Sequence, residues 1–160
     1  MFYVLMAAVV AAIAGLDQWT KWLVRRAIES TDASAHIDAI SGVFHITRVE
    51  NTGAAWSILE GQTWLFILIV VIFFALIVFM IWKKMIVRKP ELLCLAAISG
   101  GALGNLIDRV ARGSVTDMIA TDFISFPTFN VADSFITVGC FALGIYIVFF
   151  SKDKPKNKEG

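Results

Sequence analysis

Asp117 and Asp133 lie sixteen residues apart, on either side of a short polar connection. Each follows a β-branched or small pair, Val115-Thr116 and Val131-Ala132. Just upstream, a glycine-rich apolar run carries Asn105, Asp108 and Arg109. Ionisable groups so close to hydrocarbon are costly and are functional suspects by default. Two carboxylates held together cannot both ionise cheaply, because like charge and desolvation raise one pKa. The ionised member can then take a proton from water while the protonated one donates to a carbonyl oxygen, the division of labour of peptide hydrolysis by an acid pair. Arg109 or Lys21 would limit the accumulated negative charge, and Asn51, Asn105 or Asn130 could hydrogen-bond a peptide or tether the acids. The plainer reading makes Asp117 a loop residue and Asp133 a helix-start acid favoured by the macrodipole. Asp122, in the same loop, is an acid that needs no special reason.

The elements that must position these residues are membrane spans. The chain has 160 residues, of which 58% are hydrophobic and 17% charged, too apolar for a soluble domain. A net charge of +1 and basic residues without interleaved aromatics exclude a nucleic-acid surface. Cys94 and Cys140 fall in apolar runs without CxxC spacing and are expected to be buried and inert. His36 and His45 are nine residues apart with no third ligand at a recognisable spacing, so no metal site is expected. Both read as ordinary loop or strand residues. No serine-base or cysteine-histidine pair competes with the acids.

Residues 2 to 16 are continuously apolar but have no basic residue ahead of them. An amphipathic pattern continues through Asp17, Lys21 and Val24. This stretch reads as a first span ending near Val24 rather than a cleaved leader. Asp17 and Lys21 fall one turn apart on one face, either as a local neutral pair or as part of a site. Residues 29–61 form an outer connection with a small sheet and hairpin, strand-like over Val43 to Glu50 and turning at Asn51-Thr52-Gly53. Trp64 to Trp82 is the second span, with aromatics at both ends. The third runs from Pro90 to about Val110, with Gly100-x-x-x-Gly104 for close helix approach and with Gly101, Asn105, Asp108 and Arg112 on roughly one face. Residues 111–130 form a second outer loop, and Val131 to Phe150 the fourth span. The lysine-rich tail, residues 151–160, reads as disordered. Basic clusters after spans two and four put both termini in the cytoplasm and the acids on the outer side, although Arg25, Arg26, Arg48, Arg109 and Arg112 oppose that bias. The fold class expected is therefore an all-α membrane protein of four transmembrane helices with a small sheet, residues 1–150 forming one domain.

The segments Asp17-Gln18-Trp19-Thr20-Lys21, Asn51-Thr52-Gly53-Ala54-Ala55-Trp56, Gly100-Gly101-Ala102-Leu103-Gly104-Asn105-Leu106-Ile107-Asp108-Arg109, Val115-Thr116-Asp117 and Phe129-Asn130-Val131-Ala132-Asp133-Ser134 resemble, in order, the signature blocks of the lipoprotein signal peptidase (signal peptidase II) family. The resemblance covers residues 15 to 150 or so. It implies that Asp117 and Asp133 are the catalytic aspartates of an intramembrane endopeptidase of the bacterial cytoplasmic membrane. The substrate implied is a prolipoprotein cut just before its diacylglyceryl-modified cysteine. By the same resemblance Asp17, Lys21, Asn51, Gly101, Asn105, Arg109 and Asn130 line or brace the site, and the extracytoplasmic β-sheet is a platform on the membrane surface. No cofactor or metal is implied, membrane lipid is a partner, and the enzyme is expected to act as a monomer. Met118 follows the first aspartate where an aromatic is more familiar, a change expected to affect packing only.

Two other classes compete. A small proton-coupled carrier or channel subunit would use Asp17, Asp108 and Asp133 as a relay, but predicts mid-membrane acids and internal repeats. A non-catalytic scaffold would use the glycine face for a partner helix and leaves the acids, Asn105 and Arg109 unexplained together.

Overall fold

The computed structural model describes residues 2–29, 35–53 and 59–150. The described part contains four helices, α1 (Phe2–Ala27), α2 (Thr63–Trp82), α3 (Lys89–Arg112) and α4 (Val131–Phe150), each long and apolar enough to cross a membrane. A three-stranded antiparallel sheet, β1 (Ile37–Ile40), β2 (Phe44–Asn51) and β3 (Val115–Thr121), runs in the order β1-β2-β3. The first span thus ends slightly beyond Val24, and the other three lie close to their expected bounds. Residues 54–58, which follow the Asn51-Thr52-Gly53 turn, and the tail 151–160 lie outside the described residues.

Helix α2 buries only Ile77 and is apolar along nearly its whole length, as a lipid-facing helix must be. Helix α3 is the opposite case: it packs against all three other helices, most extensively α4 and α1. Small residues permit that approach. A Cβ on Gly100 would lie 2.7 Å from Ile13 Cβ, one on Gly104 would lie 2.5 Å from Asp17 Oδ2, and one on Gly101 would strike the carbonyl oxygen of Ala132. The Gly100-x-x-x-Gly104 face therefore receives α1, and Gly101 receives α4. Pro90 sits in the first turn of α3, and Gly113 closes it in the left-handed conformation (φ 78°) with its N–H on Arg109 O, the usual glycine stop.

The sheet lies at the end of the bundle where α1 and α3 finish and α2 and α4 begin. Arg48 Nη1 donates to the carbonyls of Arg25 in the last turn of α1 and of Ile28 just beyond it, and Thr63 Oγ1 at the start of α2 donates to Gly113 O. Strand β2 matches the expected strand, but its hairpin is with β1 and turns at residues 41–43 rather than at Asn51-Thr52-Gly53, and β3 arises within the connection read as loop. Asp117 is consequently mid-strand rather than at the join between loop and span.

Packing on one face only explains a second departure. Cys94 on α3 is half-buried, and Cys140 is exposed because α4 buries little besides Ala132 and Gly139 and turns the rest of its apolar surface outward.

Candidate active site

The start of α4 is built by reciprocal capping. Asn130 Oδ1 accepts from Asp133 N–H at 2.9 Å, and Asp133 Oδ2 accepts from Asn130 N–H at 3.1 Å, a variant of the capping box with Asn at the cap and Asp three residues on. The adjacent N–H, of Ala132, donates to Asp17 Oδ1 at 2.9 Å. An acid from α1 thus closes the same helix end.

Asp17 is wholly buried, and so is Lys21 one turn later. Lys21 Nζ lies 2.8 Å from Asp17 Oδ2 and 3.0 Å from Asp108 Oδ2, and it donates to Asn105 Oδ1 at 2.9 Å. All three Nζ hydrogens have an acceptor, so no buried donor is left unpaired. The contact to Asn105 has a further effect. With its oxygen taken by Lys21 and Asn130, the Asn105 amide presents its NH2 to Asp133 Oδ1 at 2.8 Å. Asp17 and Lys21 are therefore more than a local neutral pair.

Asp117 is held by two other amides: Asn51 Nδ2 donates to Oδ2 at 2.9 Å and Asn130 Nδ2 to Oδ1 at 2.7 Å. Asn51 is itself oriented by Gly53 N–H on its oxygen. Asn130 therefore touches both acids, Asp117 through its amide and Asp133 through its cap. Burial pushes the Asp117 carboxyl up to about 6, with the charge of Asp133 pushing the same way against the hydrogen bonds from Asn51 and Asn130 and the attraction of Lys21. The guanidinium of Arg109 lies over the Phe66 ring, 4.5 Å from its centroid, donates to Gly53 O at 3.0 Å, and is within electrostatic reach of Asp117 and Asp133.

These side chains open onto a cavity of about 550 Å³. Asn51, Asn105, Arg109, Asp117 and Asp133 supply its polar wall, and Phe126, Pro127, Phe129 and Val138 much of its apolar one. Of the residues named from the sequence, Asn130, Asp17 and Lys21 stand behind this wall, and Gly101 acts by letting α4 come close. Arg112 keeps to the face of Asp108, with Nε 3.9 Å from its carboxylate, but is half-exposed and does not line the cavity.

Asp108 was underrated by its sequence context. It is fully buried and gathers Lys21, Arg25, Gln18 and the Thr116 N–H. The signal available was an acid one turn beyond Asn105 in apolar sequence. Met118 points away from the cavity into an apolar cluster with Val24 and Ile28, so its side chain is a packing residue. Asp122 is not idle, since His45 Nδ1 lies 2.7 Å from its carboxylate, and the His45 ring meets that of His36 edge-on at 5.1 Å. No metal-binding group of three or more His, Cys, Asp or Glu occurs among the described residues.

The family model for signal peptidase (SPase) II matches residues 9–149. The chain belongs to the signal peptidase II family. It is 43% identical over 159 residues to a lipoprotein signal peptidase of Geobacillus thermodenitrificans, covering 98% of this chain and 95% of that one. It is 39% identical over 150 residues to the lipoprotein signal peptidase of Enterococcus faecalis, covering 94% and 91%. A solved bacterial membrane enzyme superposes with a TM-score of 0.82 at 29% identity, covering 97% of this chain and 94% of that one. Membership in the signal peptidase II family makes this chain a membrane peptidase, a hydrolase of lipoprotein processing.

Proposed function

We propose that the chain removes the signal peptide from diacylglyceryl-modified bacterial prolipoproteins, cutting just before the lipid-modified cysteine, with Asp117 and Asp133 as an aspartic dyad. The observation that carries this reading is Asn130, which hydrogen-bonds Asp117 and caps Asp133 at the wall of one cavity.

We assign the acid role to Asp117, whose proton burial makes it hold more tightly than a free aspartate does, and the base role to Asp133. Asp133 takes a proton from water as the oxygen attacks the scissile carbonyl carbon, and Asp117 gives its proton to the carbonyl oxygen. The tetrahedral diol then collapses: its C–N bond breaks, the amine leaves with the proton from Asp133, and a hydroxyl proton returns to Asp117. Arg109 and Asn51 are placed to hold the peptide, and the apolar wall suits a substrate whose acyl chains remain in lipid. Lysines and arginines after α2 and α4 favour cytoplasmic termini and an outward site, with the sheet as an extracytoplasmic platform and the enzyme acting as a monomer. A proton-carrier reading would route protons through Asp17 and Asp108, yet both are tied to Lys21 beside the sheet.

The test is cleavage of a lipid-modified prolipoprotein and its unmodified twin by the purified enzyme. Cutting is expected of the modified form, with loss on the order of 100- to 10,000-fold for Asp117→Asn or Asp133→Asn and a double variant little worse than either. Near-parental cleavage by either single variant overturns the mechanism.

A further inference from the structure

Arg25 enters the site as described only as a partner of Asp108 and does not line the cavity, yet its side chain is only 11% exposed. It lies one turn beyond Lys21 on α1 and reaches the reverse face of β3. There Nη1 donates to Thr116 Oγ1 at 3.1 Å and lies 3.5 Å from Asp108 Oδ1. Thr116 is fully buried and immediately precedes Asp117. Side chains alternate across a strand, so Thr116 and Asp117 point to opposite faces. The Thr116 N–H is 3.4 Å from Asp108 Oδ2, and its hydroxyl lies 3.4 and 3.5 Å from the two carboxylate oxygens of Glu50, the residue opposite it on β2. Glu50 is held in turn by Arg48 and Ser114.

The sheet ladder alone does not fix Asp117 well. Strand β3 is the last strand of the sheet, bridged on its far side at Ile119 by Phe129, and its pairing with β2 slips between Ile46 and Val49, where Val49 is the partner of Asp117. The extra residue lies on β2 and locally disrupts the ladder beside Asp117, so the position of Asp117 depends also on what grips β3 from behind. Two grips are present: Met118 packs on Val24 and Ile28, and Thr116 takes the guanidinium of Arg25. Both come from the last turns of α1.

We propose that Arg25 is a positioning residue for hydrolysis, acting through Thr116 to set where Asp117 stands relative to Asp133. The proposal rests on the reading of Asp117 as a catalytic acid. Displacing a reacting group by about 1 Å costs up to about 100-fold in rate, and Arg25 touches no part of the cavity. Its loss should therefore lower kcat and leave KM alone.

The experiment measures kcat and KM on a lipid-modified prolipoprotein for Arg25→Met, Arg25→Lys, Thr116→Val and the Arg25→Met/Thr116→Val pair, with kcat normalised to folded protein by thermal unfolding in detergent. Arg25→Met keeps the aliphatic stem, and Thr116→Val keeps the side-chain shape while removing the receiving oxygen. Expected are falls in kcat of about 10- to 100-fold for each single variant at unchanged KM, a double variant no worse than the poorer single, and recovery of most of the rate in Arg25→Lys, which can still donate to Thr116. The proposal is overturned by a folded Arg25→Met with parental kcat, by a loss confined to KM, by losses that multiply in the double variant, or by Arg25→Lys no better than Arg25→Met. Asp117→Asn in the same assay separates the two ideas: if it is inactive while Arg25→Met is parental, only the positioning role fails, whereas active Asp117→Asn removes the dyad itself.

Discussion

Replacing Asp117 by Asn tests the burial of the acid independently of catalysis. The residue is 3% exposed, so screening by water discounts its energetics little. Its carboxyl is raised from 3.8 to about 6, a displacement equivalent to roughly 3 kcal/mol. The folded protein holds the Asp117 proton more tightly than the unfolded chain does. The favourable contribution is therefore fully present below about pH 3.8 and is lost as pH rises through about 6. The Asn variant has no such titration. It does carry a separate cost, because Asn51 and Asn130 both donate to the carboxylate and an amide offers only one oxygen to them. An unmet donor costs about 1–3 kcal/mol, but equally at every pH. The change with pH in the difference between variant and parent isolates the titration. For a chain of this size about 1 kcal/mol moves Tm by about 2–4 °C, so the variant should gain roughly 6–12 °C on the parent between about pH 4 and about pH 7.5. Thermal unfolding of detergent-purified protein across that range is the assay. A difference that stays constant with pH would refute the argument that burial of the ionised acid destabilises the fold.

Gly101→Ala drives a methyl into the Ala132 carbonyl and to 2.8 Å from Ile136, so α4 must shift, carrying Asp133 with it. A cost of about 1–3 kcal/mol and a fall in kcat are expected, against no change for Gly144→Ala, where nothing lies within 4 Å; equal behaviour of the two would sink this reading of α3–α4 packing. Asp17→Asn leaves Lys21 with one carboxylate fewer and weakens the brace on α4, so lower stability, by up to about 3–5 kcal/mol, should accompany lost turnover, and parental values in a Tm and cleavage assay would return the pair to a purely local role. For the proposed orientation, a cysteine at Ser125 should react with an impermeant thiol reagent outside intact cells and one at Lys84 should not. The reverse pattern would invert the topology.

The spans were legible because each needs only a predominantly apolar run of about 20 residues, information that is local in the chain. Strand β3 was not, since its pairing is with β2, 66 residues earlier across the Asn51–Asp117 contact, and a seven-residue segment between two spans carries no periodic signal of its own. Asp108 was hidden for the same reason. Its partners Gln18, Lys21 and Arg25 lie on α1, more than eighty residues away in sequence. The role of His45 likewise becomes visible only when β2 brings it against Asp122.

For Asp133, the ordinary and the chemical readings turn out to describe one device. Read from the sequence, an acid three residues after an Asn at a helix start needs no function, since it answers the unpaired N–H groups and the macrodipole of the helix. In the fold that same exchange of hydrogen bonds with Asn130 fixes Asp133, and the Asn130 side chain then extends to Asp117. Its single amide oxygen caps the helix while its NH2 serves Asn105 and the other acid. An Asp at position 130 would keep the cap but turn a third carboxylate toward Asp117, and a Ser would keep the cap but fall short of it. Only an amide at residue 130 therefore caps the helix and aligns the two acids at once.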